Sequence, residues 1–241
     1  MRRSTHLIAP MLVVLGVAVV TTIASAQSPY LFLDNGNAED GTASPDGHSV
    51  VAVPGWSTTG SFTVVPYGAS GPFPSTPINT RSTPQQNFFC GGPTDTLSTA
   101  TQTKLILGES TQFETVPGFW SLLVSATMGG WQSDQIGPRI RLTLLDAQQN
   151  PVAEHVLTHT NGTLTIFPTS ALVEVYRRCD IPPDVRFIRI TIELEGLPGQ
   201  YNTSLVDDLV INFGWPDPVR SSTWSGIKQL TFMQTARVAS R

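Results

Sequence analysis

The sequence predicts an all-β fold, an antiparallel sandwich of two layers. Apolar and polar residues alternate in many short segments, and turn-forming residues separate these segments. The chain contains 20 glycines and 19 prolines, and only 13% of its residues are charged. Between residues 27 and 214 no segment has the 3.6-residue period of an amphipathic helix. Many short strands with one polar face each are typical of a two-layer antiparallel sandwich.

Twelve segments have the alternation of a strand. In the clearest, 187–195, isoleucine and leucine alternate with arginine, threonine and glutamate, so we expect one face of this strand to contact water. The predicted strands are 30–33, 50–53, 62–67, 87–90, 99–107, 119–127, 139–145, 152–158, 164–167, 172–178, 187–195 and 204–213. The NGNAEDG stretch at 35–41 is predicted as a turn, and 68–86, which contains four prolines, as an irregular surface excursion.

The first 26 residues have the pattern of a secretory signal peptide. Arg2 and Arg3 precede an apolar run, and the small residues Ala24-Ser25-Ala26 end it. The alternative is a membrane anchor, since an apolar run of roughly 20 residues can span a bilayer. Because Pro10 interrupts the run and the A-x-A pattern closes it, we expect cleavage after Ala26, secretion, and no membrane span after cleavage.

Charge and length restrict the partners and the domain organisation. Removing residues 1–26 removes two of the 14 Lys and Arg residues and none of the 18 Asp and Glu residues, which leaves a formal charge of −6. A mildly acidic chain without a basic cluster is not expected to bind nucleic acid. Residues 27–214 can bury one core, so we predict one sandwich domain there. The tail 215–241 is predicted to be weakly helical or disordered; the alternative is a short export or attachment signal.

The two cysteines, Cys90 and Cys179, are predicted to form a disulfide, because an exported protein meets an oxidising compartment. The alternative is two buried free thiols. Trp56 is predicted to be part of the core rather than a ligand platform, because it follows a Pro-Gly turn where the chain enters the sandwich.

Five short motifs follow one another between residues 31 and 213. They are NGNAEDG, PGWSTTGSFTVVPYG, NFFCGG followed by ATQT, SATMGGWQSDQ leading into RIRLTLLD, and VDDLVINF. In order and spacing they resemble secreted bacterial β-sandwich domains with the galactose-binding-like jelly roll, such as the carbohydrate-binding modules often attached to glycoside hydrolases. The chain departs from that pattern at Asn37, where aspartate is more usual, and at Cys90, where alanine is.

The resemblance implies one structural calcium between the first turn and the last strand. It assigns Asn37, Glu39 and Asp207 to that site, with Asp208 as a neighbour. Carboxylates and turn carbonyls supply the hard oxygen ligands that calcium prefers. The alternative is that Glu39 and Asp207 cap turns and accept hydrogen bonds from backbone amides.

A ligand site is predicted in the loop that contains Trp131. Two glycines precede this tryptophan and polar residues follow it, and an exposed indole can stack on a sugar ring while polar neighbours bind its hydroxyls. The candidate ligand residues are Trp131, Gln132, Asp134, Tyr67 and Tyr201. The alternative for Trp131 is a packed loop anchor.

No catalytic motif is present in the sequence. It contains no G-x-S-x-G elbow, phosphate-binding loop or H-E-x-x-H pair, and whether carboxylates such as Glu174 pair across a cleft is not visible in it. We therefore predict a non-catalytic secreted domain that binds a glycan or another cell-surface ligand, not an enzyme. The alternative is a structural or adhesion protein of the envelope without a sugar site; a glycan-cleaving enzyme ranks third.

Overall fold

A computed structural model describes residues 30–31, 33–77, 86–94, 96–106, 121–130, 137–158 and 171–214. This part of the chain forms two antiparallel sheets and contains no helix, which confirms the predicted all-β sandwich. Consistent with this, the described residues include no helix with the length and apolarity needed to cross a membrane. The predicted signal peptide (1–26), strand 164–167 and tail (215–241) lie outside the described residues.

The strands are distributed over sheet A and sheet B in the order of a jelly roll. They are β1 (Tyr30–Leu31), β2 (Ser57–Thr59), β3 (Thr63–Pro66), β4 (Asn87–Gly92), β5 (Leu97–Leu105), β6 (Ser121–Gly130), β7 (Arg139–Leu145), β8 (Pro151–Thr158), β9 (Ala171–Asp180), β10 (Phe187–Glu195) and β11 (Asn202–Gly214). Sheet A has the order β3-β4-β11-β6-β9, with β1 also paired to β11, and sheet B has the order β2-β5-β10-β7-β8. From β4 to β7, and again from β8 to β11, consecutive strands alternate between the sheets.

The core lies between the sheets and is built by the predicted alternation. In β10, Ile188, Ile190, Ile192 and Leu194 are fully buried, while the residues between them are partly exposed. They belong to one cluster with the inward-facing residues of β6, such as Leu122. Burial of each such side chain contributes about 1.5–3 kcal/mol, so this inner layer is the main source of stability.

Trp56 is part of this core, as predicted. It is only 8% exposed and its ring meets the ring of Phe89 edge-on at 5.8 Å. Its indole Nε1 donates a hydrogen bond of 3.1 Å to the carbonyl of Asn35, so its polar atom is satisfied inside the protein. Trp56 thereby ties the core to the first turn.

The first turn, predicted at 35–41, is held by the side chain of Asn35. Its Oδ1 accepts from the amide of Asp40 at 2.9 Å, and its Nδ2 donates to the carbonyl of Asp40 at 3.2 Å. Asn35 has a φ of +48°, a conformation that asparagine tolerates better than most residues. The turn lies against β11, because the amide of Leu209 donates a hydrogen bond to the carbonyl of Gly36. A Cβ atom on Gly36 would lie only 2.6 Å from the carbonyl oxygen of Leu209, so this close approach requires glycine.

One predicted strand is wrong and one strand was missed. Residues 50–53 are not a strand, because the chain there bonds to a side chain: the amide of Val51 donates to Oγ1 of Thr63, which donates to the carbonyl of Ser49. The strand is formed instead by Ser57–Thr59, which pairs with β5. All three of its residues are exposed, so it has no alternation by which to predict it.

The predicted disulfide is also wrong, since Cys90 and Cys179 are buried free thiols. Both lie in sheet A, but two strands separate β4 from β9, a distance of about 14 Å. The two cysteines are also offset along the strands. Cys90 lies in register with Gly129 near the end of β6, whereas Cys179 pairs with Leu122 near its start. Cys179 belongs to the core and Cys90 to a cluster on the opposite face of the sheet. A disulfide needs Cα atoms within about 7 Å.

Candidate functional site

The outer face of sheet A, here called the outer A face, brings together several of the predicted site residues. The side chains of β6 point alternately to its two faces. Leu122 and Val124 face the core, so Ser125 and Thr127 lie on the outer face of the strand. In register, Asp207 lies beside Thr127, and Thr127 lies beside Glu174. Neighbouring strands are about 4.8 Å apart, so the backbones of Asp207 and Glu174 are about 10 Å apart.

One end of the outer A face is covered by a small apolar cluster. Its buried members are Val65, Phe88, Cys90, Leu172 and Leu205, with Tyr67, Ala69, Phe73 and Tyr201 packed against them. The rings of Tyr67 and Phe73 meet the ring of Phe88 at centroid distances of 4.9 and 5.9 Å. The described part of the β3–β4 connection thus forms a wall at this end of the face.

Tyr67 and Asp207, predicted for two different sites, are in contact with each other. The Tyr67 hydroxyl donates a hydrogen bond of 2.8 Å to Oδ2 of Asp207, and the amide of Asp208 donates to Oδ1 at 2.7 Å. Asp207 is 1% exposed, and this burial raises the pKa of its carboxyl to about 7. The negative charges of Asp208 and Glu39 raise that pKa further, while the hydrogen bond from Tyr67 lowers it.

Glu39 caps the start of β4. Its Oε1 accepts from the amides of Gln86 and Asn87 at 2.7 and 3.0 Å, and its Oε2 accepts from Nδ2 of Asn87 at 3.2 Å. This is the turn-capping alternative considered for this residue in the sequence. The charge of Glu39 also acts on Asp207, so the first turn, β4 and β11 meet at one acidic corner.

The residues of the acidic corner do not fit a calcium site as they stand. Each of the four carboxylate oxygens of Glu39 and Asp207 already accepts a hydrogen bond from the protein. Asp208 adds a buried charge at a bulge of β11, where its φ is +50°, and Asn37 is only partly buried. Among the described residues, no group of three or more His, Cys, Asp and Glu side chains is placed to hold a metal ion. Calcium at this corner stays a prediction.

Tyr201 is engaged with the protein on both its ring and its hydroxyl. The hydroxyl donates to the carbonyl of Gly47 at 2.7 Å, and the ring meets Phe73 at 5.8 Å and His48 at 5.6 Å. Burial raises the pKa of the phenol above its ordinary value, as it does for Tyr67. Both predicted tyrosines therefore border the outer A face, with their hydroxyls already used.

Tyr176, which sequence reasoning missed, is the most exposed aromatic side chain in the described part of the chain. It is 74% exposed and lies beside Ser125 in the row next to Thr127. Leu123, 39% exposed, occupies the following row of the same face. The sequence did contain a signal for this residue. Tyr176 alternates with Glu174 and Arg178, so it is a tyrosine on the polar face of the strand.

Thr127 is the second residue that sequence reasoning missed. It is 2% exposed, and its hydroxyl has no hydrogen-bond partner within the described part of the chain. A buried hydroxyl without a partner costs the folded state about 1–3 kcal/mol. In register it lies between Asp207 of β11 and Glu174 of β9, on the side of β6 that faces away from the core.

The predicted ligand residues Trp131, Gln132 and Asp134 lie outside the described residues. In the chain they follow Gly130 directly, and Gly130 is the last residue of β6 and pairs with Ala171 of β9. Their contribution to a site stays a prediction.

Comparisons with known proteins find likeness in fold only. No protein-family model and no curated protein matches the sequence. Among solved structures, an arabinose-bound α-L-arabinofuranosidase is 14% identical with a TM-score of 0.42, covering 75% of this chain and 26% of its own. The enzymatically active domain of a bacteriophage CBA120 tailspike protein is 14% identical with a TM-score of 0.41, covering 78% of this chain and 22% of its own.

A third structure is the CBM22-1 xylan-binding domain from Paenibacillus barcinonensis. It is 10% identical with a TM-score of 0.34, and the match covers 70% of this chain and 89% of that domain. The chain therefore spans about a quarter of the arabinofuranosidase and tailspike chains, but most of the length of the xylan-binding domain. Likeness at this level carries no argument about activity.

Proposed function

We propose that this chain is a secreted, non-catalytic protein that binds carbohydrate on the outer A face. The observation that carries the proposal is Tyr176, an aromatic ring exposed by 74% on a sheet face beside a row of polar side chains. An exposed ring keeps apolar surface in contact with water, which is unfavourable for the free protein. A ligand that stacks on the ring removes this surface from water and gains that free energy.

The chemistry around Tyr176 suits a sugar. A pyranose ring has an apolar C–H face that can stack on a tyrosine ring and a rim of hydroxyls that need hydrogen-bond partners. Thr127, Ser125 and Glu174 lie in the same row as Tyr176 or in the adjacent one.

The position of Asp207 supports binding without cleavage. Hydrolysis of a glycosidic bond requires two carboxyl groups that reach the substrate, one of which donates a proton. Asp207 has the raised pKa of a general acid, but it is 1% exposed and both of its oxygens are held by Tyr67 and the Asp208 amide. The buried and hydrogen-bonded Asp207 is therefore a poor proton donor for a substrate beside Glu174, the residue of its row two strands away.

Residues outside the described part complete the proposal. Residues 1–26 would direct the chain out of the cell, and Trp131 with Gln132 and Asp134 would extend the site beyond the end of β6. The proposed partner is a glycan of a cell surface or extracellular matrix.

The test is binding of the purified mature chain to a panel of soluble polysaccharides, including xylan, mixed-linkage β-glucan, galactomannan and polygalacturonate. Tyr176→Ala should weaken the observed binding by roughly tenfold, because an aromatic contact contributes about 0.5–1.5 kcal/mol beyond the area that it buries. Leu105→Ala is the matched control: Leu105 is 55% exposed on the outer face of sheet B, and its loss should leave binding unchanged.

Three outcomes would contradict the proposal. Failure to bind any glycan, together with retention of the protein at the cell surface, would favour an adhesion or structural protein. Turnover of a polysaccharide would show an enzyme. Binding that is lost in Trp131→Ala but not in Tyr176→Ala would place the ligand on the loop rather than on the outer A face.

A further inference from the structure

The structure assigns to Glu39, Tyr67 and Asp207 the role of a metal-free clamp, in which hydrogen-bond donors of the protein take the place of a cation. The clamp joins three parts of the chain that are distant in sequence: the first turn, the β3–β4 connection and the last strand. This inference is independent of the proposed glycan binding, because it concerns how the wall of the outer A face is held.

The donors of the clamp are all protein groups at ordinary hydrogen-bond distances. Glu39 accepts two backbone amides and one side-chain amide, at 2.7, 3.0 and 3.2 Å. Asp207 accepts the Tyr67 hydroxyl at 2.8 Å and a backbone amide at 2.7 Å. Hydrogen bonds to a carboxylate are among the stronger ones in proteins, so five of them fasten this corner.

A calcium ion would have to displace these donors. Calcium takes six to eight oxygen ligands at about 2.3–2.6 Å, and a carboxylate is its preferred ligand. Here an N–H or O–H hydrogen points at each of the four oxygens that Glu39 and Asp207 would offer. The Tyr67 hydroxyl, which lies between the β3–β4 connection and Asp207, donates a hydrogen where a cation would need an acceptor.

The clamp closes the base of the β3–β4 connection. The amide of Tyr67 donates to the carbonyl of Gln86 at 2.8 Å, so the two ends of the connection meet, and Glu39 holds the far end through Gln86 and Asn87. Within the connection, the amide of Gly68 donates to the carbonyl of Pro74 at 3.0 Å. The Phe73 ring then packs on Phe88 and forms part of the wall of the outer A face.

The experiment is thermal unfolding of the mature chain in excess CaCl2 and in excess EDTA. We expect the same Tm in both, and a Tm lower by roughly 5 °C for Tyr67→Phe in both, because that variant loses only the hydroxyl that bonds to Asp207. Tyr176→Phe is the control, since its hydroxyl lies on an exposed ring, and its Tm should not change. Hydrogen–deuterium exchange in Tyr67→Phe should rise at residues 67–77 and 86–87 and stay unchanged in β10.

Two results would overturn the clamp. The first is a wild-type Tm that rises by several degrees in CaCl2, with the rise lost in Asp207→Asn; this would establish a calcium site. The second is a Tyr67→Phe variant with wild-type Tm and wild-type exchange. If Tyr67→Phe does not fold, the comparison of the wild type in CaCl2 and EDTA still decides between clamp and calcium.

Discussion

The outer faces of the two sheets differ in how many of their polar side chains have partners on the same face. On the outer face of sheet B, arginines and glutamates of neighbouring strands pair with one another: Arg141 binds Glu193 at 2.6 Å and also Glu154, and Arg139 binds Glu195. Beside them the hydroxyls of Thr101 and Thr191 lie 3.1 Å apart. These charges and hydroxyls thus find partners within the face itself, although Nε of Arg139, 3.4 Å from Glu193, has no hydrogen-bond partner among the described residues.

On the outer A face, several side chains are buried at a cost or are exposed. Asp207 is buried with a raised pKa, Thr127 is buried without a partner, and the Tyr176 ring stands exposed. Such groups cost stability, and the proposed ligand binding would use the outer A face, where the exposed Tyr176 ring lies. Three substitutions test this contrast further.

The largest effect is expected for Asp207→Asn. The folded-state pKa of Asp207, about 7, is above its ordinary value of 3.8, so the folded protein binds more protons between these pH values and loses stability as pH rises through them. Each pKa unit corresponds to about 1.4 kcal/mol. Above pH 7 the asparagine variant lacks the buried charge but keeps only one of the two acceptors, so it should be more stable than the wild type by less than the full difference that this pKa shift implies.

Urea unfolding of both proteins at a series of pH values measures this difference. The gap should shrink steadily as pH falls from 7, and it should level off only below pH 3.8, where the wild-type carboxyl is protonated in the folded and unfolded states alike. A gap that stays constant with pH, or a variant less stable at pH 8, would show that Asp207 is ionised in the folded protein without penalty.

Thr127→Val should raise stability and leave glycan binding unchanged. Valine has the shape of threonine but removes a buried hydroxyl without a partner, so the free energy of unfolding should rise by about 1 kcal/mol. Glycan affinity should not change, because Thr127 is 2% exposed whereas the proposed contact residue Tyr176 is 74% exposed. Urea unfolding and titration with the polysaccharide that binds the wild type measure the two quantities.

The matched control is Thr191→Val on the outer face of sheet B. Its hydroxyl has a partner in Thr101, so the same substitution should lower stability slightly and leave glycan binding unchanged. Equal effects of the two substitutions would remove the distinction between the faces.

The smallest effect is expected for Arg141→Ala. Its partners Glu193 and Glu154 lie on neighbouring strands, and such partly exposed ion pairs contribute up to about 1 kcal/mol. The loss should shrink in 1 M salt, where the Debye length is about 3 Å. A loss that does not depend on salt would instead indicate packing of the arginine stem on the sheet.

Local patterns were enough to predict several parts of this structure. The alternation in 187–195 specified which side of β10 enters the core, and the Pro-Gly turn before Trp56 indicated its burial. The turn at 35–41 was readable because Asn35 and Gly36 suit its backbone. In each case the signal lies within a few neighbouring residues, although the contacts can be distant in the chain, as between Trp56 and Phe89.

Predictions that required a distance between remote segments were less secure. The disulfide failed because the strand order separates Cys90 from Cys179 and places them on opposite faces of sheet A. The strand at 50–53 failed because a side-chain hydroxyl of Thr63 competes for its backbone. Tyr176 was overlooked because its exposure depends on what packs beside β9.

The sequence by itself determined the two-layer antiparallel architecture and the inward face of its strands, because period-two alternation and turn residues act over a few neighbouring positions. Only the tertiary structure decided that Tyr67 meets Asp207, 140 residues away, and that Thr127 lies in register between Asp207 and Glu174. The reason is physical: hydrogen-bond partners and burial at the outer A face depend on strand order and register, which are set by the packing of the whole sandwich.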